Sequence, residues 1–403
     1  MKTVGIAAEY NPFHRGHAYQ LSACRRMIGE DAVFAAVMSG DFVQRGEAAM
    51  FSKFARAEAA CRAGADLVVE LPLPWSLASA EGFASGAVSL MQALQADAVS
   101  FGAETDNPEE LEELAELFCR PDFYEQVCER MKQHPNRSFP AARQQCAEEL
   151  LGKKLPALQQ PNCILAVEYL KAIRQSGRPL RMLPVLRKGS GHDDPGASDM
   201  PSAAFLRGEM RGGRWPGAAL PPEAEQVLRP KWEEGRAAAD AERQALCLLS
   251  RLRGLCEEDF RGIPDARDGA GERLYHALQT TAGWEDLVSA AASRRFPAAR
   301  MRRMALCAAL GLRGGDCAGH PAYARVLAFN ERGRALLHEL SGSCAVPLVT
   351  KPAHVRKLSG KAVRDFELGA RAHDLYTLFY PDRSGRTSAR SCGEDWRRGP
   401  VLC

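Results

Sequence analysis

The 403-residue sequence has no apolar run long enough to cross a bilayer. Its start, Met1-Lys2-Thr3, leads into a strand-like segment without the charged and apolar regions of a signal peptide. A membrane-spanning or secreted protein is set aside, and a cytoplasmic one is expected. None of the 13 cysteines forms a Cys-x-x-Cys pair, and their number is odd. That argues against a disulfide framework and for free thiols in a reducing compartment. No cysteine or second histidine pair stands at ligand spacing, so no protein-bound metal is expected. A strong charge of one sign is missing too: 53 Lys and Arg against 50 Asp and Glu leave a net charge of +3. That balance neither demands nor excludes nucleic acid, which needs only a local basic face. Internal repeats and low-complexity tracts are also lacking, and the length suits two or three domains.

What is there is an alternation of strand-like and helix-like stretches. Apolar runs at 4–8, 32–38, 65–72, 96–104 and 180–186 are separated by segments with helical spacing, among them 53–63, 79–94 and several between 108 and 176. Such alternation predicts βαβ units and a parallel sheet. A Gly/Pro-rich stretch, 212–222, then marks a linker. Beyond it the pattern predicts mainly helices, at 231–256, 273–280, 283–292, 297–311 and 360–380. The expected division is residues 1–211 and residues 222–403.

The most informative stretch follows the first strand: Ala7, Ala8, Glu9, Tyr10, Asn11, Pro12, Phe13, His14, Arg15, Gly16, His17, Ala18, Tyr19 and Gln20. Asn11-Pro12 is a turn signal, and a helix is expected from about Gly16. Two histidines thus stand at a strand-to-helix junction, where open α/β sheets bind ligands and where a helix start favours an anion. Gly16 between them would let a base or phosphate approach the backbone. The His pair could donate hydrogen bonds to phosphates as charge builds in a transition state. Ser202 suits the N-cap of a later helix, and Arg207 follows it, a plausible second phosphate-binding element. In the second half Arg294, Arg295, Arg300, Arg302 and Arg303 cluster around Phe296, which suits RNA phosphates and stacking. An ordinary solvated face gives the same pattern.

The His-x-Gly-His pattern resembles the nucleotidyltransferase superfamily that includes class I aminoacyl-tRNA synthetases. A narrower resemblance runs along most of the chain. The segments AEYNPFHRGH, VMSGDFVQRGEAAMFSKFARAEAACRAGADLVVELP, SAEGFASGAVSL, SFGAE, QPNCILAVEYLKAI, LRKGSG, SAAFLR, RRFPAARMRRM, LAFNERG and ARAHDLYTL are similar to the bacterial tRNA(Met) cytidine acetate ligase family. The resemblance implies a Rossmann-like α/β nucleotidyltransferase domain and a mainly helical C-terminal domain that binds tRNA. It implies that acetate and ATP form acetyl-adenylate, with Mg2+ accompanying the ATP and no acetyl-CoA. The acetyl group then passes to N4 of the wobble cytidine of elongator tRNA(Met). Neither a membrane nor an obligate protein partner is implied. By matching position, the ATP site comprises residues 7–20, Gly102, Asn162 and Arg187, with Ser202 and Arg207 contacting phosphates. His14 and His17 are the catalytic donors.

Three departures stand out. Asp41 occupies a position where the family usually has Asn, and an added carboxylate would repel a triphosphate unless it held Mg2+ or paired with Arg45. The loop 189–194 replaces a more usual pattern and leaves His192 without a role. His373 stands where Thr is expected. Two other readings stay open on the residues alone: adenylylation of a small phosphorylated metabolite, and RNA binding without catalysis.

Overall fold

The computed structural model describes residues 2–105, 107–134, 136–187, 200–381 and 390–403. In the first half β1 (Thr3–Ala8) leads to α1 (Arg15–Ile28), and β2 (Val33–Ser39) to a short hairpin, β3 (Phe42–Val43) and β4 (Glu47–Ala48). Then come α2 (Lys53–Arg62), β5 (Leu67–Leu71), α3 (Leu73–Ser76), α4 (Ala80–Ala93) and β6 (Ala98–Ala103). Helices α5 (Pro108–Cys119), α6 (Pro121–Gln133), α7 (Phe139–Leu151) and α8 (Pro161–Ser176) precede β7 (Arg181–Leu186) and α9 (Ala203–Arg211). The second half holds α10 (Pro222–Glu233), α11 (Ala241–Arg253), α12 (Glu257–Arg261), α13 (Ala270–Thr280), α14 (Trp284–Ala291) and α15 (Ala298–Leu310). It ends with β8 (Ala324–Phe329), α16 (Glu331–Glu339), β9 (Leu348–Val349), α17 (Lys361–Thr377) and β10 (Val401–Leu402).

The main sheet runs β10-β8-β5-β2-β1-β6-β7, with β9 on β8. Strands β5, β2, β1, β6 and β7 are mutually parallel, as their mainly apolar character predicts. Val4, Val33, Phe34, Val68 and Val99 are fully buried, because helices cover both faces. The chain builds outward from β1 through β2 to β5, then crosses back to β6 and β7. The switch between these directions lies between β1 and β6, and their carboxyl ends open a crevice there.

The second half departs from the expected division. Strand β8 pairs antiparallel with β5, and the last strand, β10, pairs with β8. Residues beyond 222 therefore complete the first sheet. Its six residues, Ala324-Arg325-Val326-Leu327-Ala328-Phe329, are too short to show a period, so they pass for part of a helical region. Ala224, Val227 and Leu228 of α10 likewise share a core with Val4 and Ile6. The helix expected over 231–256 is two. Gly235 takes a positive φ of 75°, and Ala237 bridges to Phe51, so the chain turns into an extended segment between α10 and α11. Helices α11, α13, α14, α15 and α17 enclose a separate core that also takes in Phe42, Ala48, Leu73 and Leu77 of the first half.

Candidate nucleotide site

The loop after β1 is fixed from below by a cation that sequence patterning did not single out. Arg56 of α2 is wholly buried. Its guanidinium donates to the carbonyls of Phe51 (2.9 Å), Ser39 (3.1 Å), Glu9 and Gly40. It thereby ties the ends of β1 and β2 together. Tyr10 follows with φ 46°, and the Asn11-Pro12 peptide is cis. Asn11 Oδ1 accepts from Met50 N at 2.7 Å, and Arg207 of α9 donates to the Asn11 carbonyl at 3.0 Å. Tyr10 and Phe13 are buried, with ring centroids 4.9 and 5.5 Å from that of His17.

His14 is the N-cap of α1. Its Nδ1 accepts from Gly16 N at 3.0 Å, while His17 Nδ1 accepts from His14 N at 3.2 Å. A backbone N–H can only donate, so both Nδ1 atoms are bare and both rings carry their proton on Nε2. The imidazoles lie 3.9 Å apart between centroids. Burial, then Arg187 and Arg207, push the His14 pKa down to about 3. Burial, then His14 and Arg187, hold His17 well below the ordinary range. The pair is thus two neutral N–H donors beside cations, suited to an anion. Gly16 has a different reason from the one expected. A Cβ there would stand 2.8 Å from His14 Cε1, so glycine makes room for the capping ring itself.

The other sequence-predicted residues divide between cleft and support. Ala7 and Ala8 end β1 opposite Val37 and Met38. Arg15 is exposed, Ala18 and Tyr19 pack against the core, and Gln20 donates to Ser100 Oγ at 3.1 Å. Gly102 pairs with Val185 of β7, and a Cβ on it would meet Arg187 Cγ at 3.3 Å. Arg187 leaves β7 with its side chain exposed. Asn162 begins α8, its side-chain amide donating to Glu104 just past β6. Ser202 caps α9 by accepting from Phe205 N at 3.2 Å, and its hydroxyl is engaged there. The loop 189–194, with His192, lies outside the described residues.

Asp41 does not pair with Arg45; both of its oxygens are engaged elsewhere. It is buried, accepting from Lys53 N at 2.7 Å through Oδ1 and facing His373 Nδ1 at 2.8 Å through Oδ2. The other ring nitrogen of His373 stands 3.0 Å from Glu394 Oε2. Both nitrogens face carboxylates, so His373 is an imidazolium. Burial would lower its pKa, but Asp41 and Glu394 raise it to about 8. Burial alone would raise the Asp41 carboxyl; His373, Lys53 and Arg56 hold it below the carboxylate range. Two of the departures thus contact each other and join the β2–β3 turn to α17. Beside them Lys53 Nζ lies 2.8 Å from both Glu70 and Asp395, and Arg325 of β8 pairs with Asp395 and Glu70. Within KFARAE, Lys53 and Arg56 share one helix face with buried Phe54 and Ala57 beside them, the one signal that could have exposed them.

The basic cluster spans the segment before α15 and the first turns of that helix. Arg294 is exposed. Arg295 lies 3.4 Å from Asp268, and Arg300 donates to the Asp265 carbonyl at 2.7 Å. Both guanidiniums sit over Phe296, at 5.4 and 5.2 Å. Arg302 pairs with Glu285 at 2.6 Å and Arg303 with Asp265 at 3.7 Å. The β3–β4 turn connects this cluster to the crevice. Gly46, at φ 78°, would place a Cβ 2.8 Å from Arg303 N, and Gln44 N donates to Glu9 Oε1 at 3.1 Å.

A parallel-sheet switch point with neutral imidazole donors at a helix start is the apparatus of a nucleotidyl transferase. Residues 1–391 match the family model described as HIGH Nucleotidyl Transferase, and the chain belongs to that family. It is 36% identical to the tRNA(Met) cytidine acetate ligase of Syntrophotalea carbinolica, covering 97% of each chain. It is 32% identical to the enzyme of that name from Thermotoga maritima, covering 98% of this chain and 99% of the other. The crystal structure of Thermotoga maritima TmcAL without ligand superposes with a TM-score of 0.92 at 30% identity, over 100% of this chain and 99% of that one. The same protein bound with alpha-thio ATP gives 0.90 over the same coverage. Within the wider class, the chain belongs to the tRNA(Met) cytidine acetate ligase family.

Proposed function

We propose that the chain acetylates N4 of the wobble cytidine of elongator tRNA(Met), using acetate and ATP. The observation that carries this reading is the His14–His17 pair. It is neutral, proton-fixed on Nε2 and set beside Arg187 at the β1/β6 crevice of a chain related to these ligases end to end. ATP binds across residues 7–20, Gly102, Asn162 and Arg187. Mg2+ enters with its phosphates; among the described residues no group of three or more His, Cys, Asp or Glu is placed to hold an ion.

An acetate oxygen attacks the α-phosphorus, and the bond to the bridging oxygen of pyrophosphate breaks. His14 and His17 donate to the phosphate oxygens as charge accumulates, and Arg187 offsets that charge. No protein nucleophile is required, because acetate supplies it and the site supplies orientation. The cytidine amine then attacks the acetyl carbon. The bond from that carbon to oxygen breaks, AMP departs, and the amine loses one proton. Arg207 acts through the Asn11 carbonyl, holding the loop beneath the phosphates, and Ser202 fixes the start of the helix that carries it. Arg294, Arg295, Arg300, Arg302 and Arg303 form the tRNA face.

The test follows labelled acetate into unmodified tRNA(Met), with ATP present and acetyl-CoA absent. Label on the tRNA, lost in a His14→Ala, His17→Ala variant, is the expected result. No label on the tRNA, with acetylation by unlabelled acetyl groups appearing only when acetyl-CoA is supplied, would refute the ligase.

A further inference from the structure

Two helix starts border the crevice, and they are not equivalent. At α1 neither Nε2–H group has a partner among the described residues. At α8 the backbone donors are already taken. Glu104 Oε1 accepts from Asn162 N at 3.4 Å, and Glu104 Oε2 accepts from Cys163 N at 3.1 Å. Pro161 has no N–H, and Ile164 N bonds to the Gln160 carbonyl at 2.9 Å. A carboxylate therefore fills the place a phosphate would take, and its charge opposes one. The polyphosphate belongs at α1 and Arg187, and the nucleoside belongs at α8.

The same carboxylate fixes which edge of Asn162 can meet that nucleoside. An ionised carboxylate only accepts, so the carboxamide must turn its NH2 group toward Glu104 Oε1, as it does. The carboxamide oxygen is left on the other side. It has no partner among the described residues, and Asn162 is partly exposed. Without Glu104 the amide could rotate and present either edge; with it, only an acceptor is offered.

We propose that Glu104 is a positioning residue that makes Asn162 an acceptor-only reader of the nucleoside, selecting a ligand with an N–H or O–H donor there. This rests on the reading that ATP lies in this crevice. The donor is either a ribose hydroxyl or the exocyclic amine of the base, the two groups of ATP that carry such hydrogens.

Equilibrium binding of ATP, 2′-deoxy-ATP, 3′-deoxy-ATP and inosine triphosphate distinguishes these sources. The wild-type protein is expected to bind one analogue about tenfold more weakly than ATP, the usual scale for one lost hydrogen bond in a site. Glu104→Ala is expected to lower that ratio, and to bring it close to one if the analogue is inosine triphosphate, whose O6 the rotated amide can meet with its NH2. In an Asn162→Ala background, Glu104→Ala is expected to leave the ratio unchanged. Glu104→Gln keeps the shape but cannot accept on both sides. It is expected to lower the ratio partway, and it serves if the alanine variant does not fold. An unchanged ratio in the folded Glu104 variants, or a wild type that discriminates against none of the analogues, would overturn the inference. A wild type that binds no ATP at all would overturn the nucleotide reading beneath it as well, a visibly different result.

Discussion

His14 and His17 cap their own helix, and that bonding decides their chemistry. Two bare Nδ1 atoms leave two Nε2–H donors that need no charge to work. Replacing either by Ala should lower the rate of labelled acetate transfer by about 10²- to 10³-fold, the range for losing one preorganised donor at an oxyanion. The His14 pKa near 3 lies below the ordinary value of about 6.5 for an unfolded chain. The pair therefore stays neutral across the physiological range, and the pH–rate profile should show no loss of activity on acidification from pH 8 to 6 attributable to it. Gly16→Ala should cut activity, because the added methyl displaces the His14 ring. The positions of these residues were legible from spacing alone; the reason for the glycine was not, because no sequence pattern tells that a histidine ring folds back over its own helix start. Asp41 was the opposite case. Its neighbourhood in sequence suggested Arg45, while its partner, His373, stands 332 residues away.

Elements that carry the site depend on buried polar supports. Helix α2 delivers Arg56 to the carbonyls of Glu9, Ser39 and Gly40 at the ends of β1 and β2, and to that of Phe51. Arg56→Met should destabilise the protein by about 3–5 kcal/mol in a urea titration, since those acceptors are left unpaired in the core. Helix α17 delivers His373, whose folded pKa of about 8 exceeds its unfolded value. Its contribution to stability is fully present below about pH 6.5 and is lost as pH rises through about 8. The urea midpoint of the wild type should therefore fall across that window, and a His373→Asn variant should lack the fall. The parallel elements were legible because buried parallel strands are continuous apolar runs. Strand β8 was not: a six-residue run containing Arg325, far along a helical half, carries no period of its own, and its register with β5 is set by tertiary pairing.

At the scale of the whole molecule, the two halves share one sheet and one buried ion network, and the β3–β4 turn touches both Glu9 and the backbone of Arg303. That connection was invisible in sequence, where Gly46 reads as an ordinary turn glycine. Replacing Arg294 and Arg295 together should weaken tRNA binding and reduce the slope of its salt dependence by about 1–2, with ATP binding unaffected. A fall in ATP affinity in that variant would show that the nucleotide and RNA faces are not separate. The family's chemistry sets the most direct test, the fate of the acetate oxygens. With acetate labelled by oxygen-18 on both positions, attack on the α-phosphorus followed by cleavage at the acetyl carbon must leave one acetate oxygen on the released AMP. Mass spectrometry of that AMP should show one oxygen-18 atom per turnover. Release of unlabelled ADP instead, with the heavy oxygen in orthophosphate, would place the attack on the γ-phosphorus and contradict the acetyl-adenylate route.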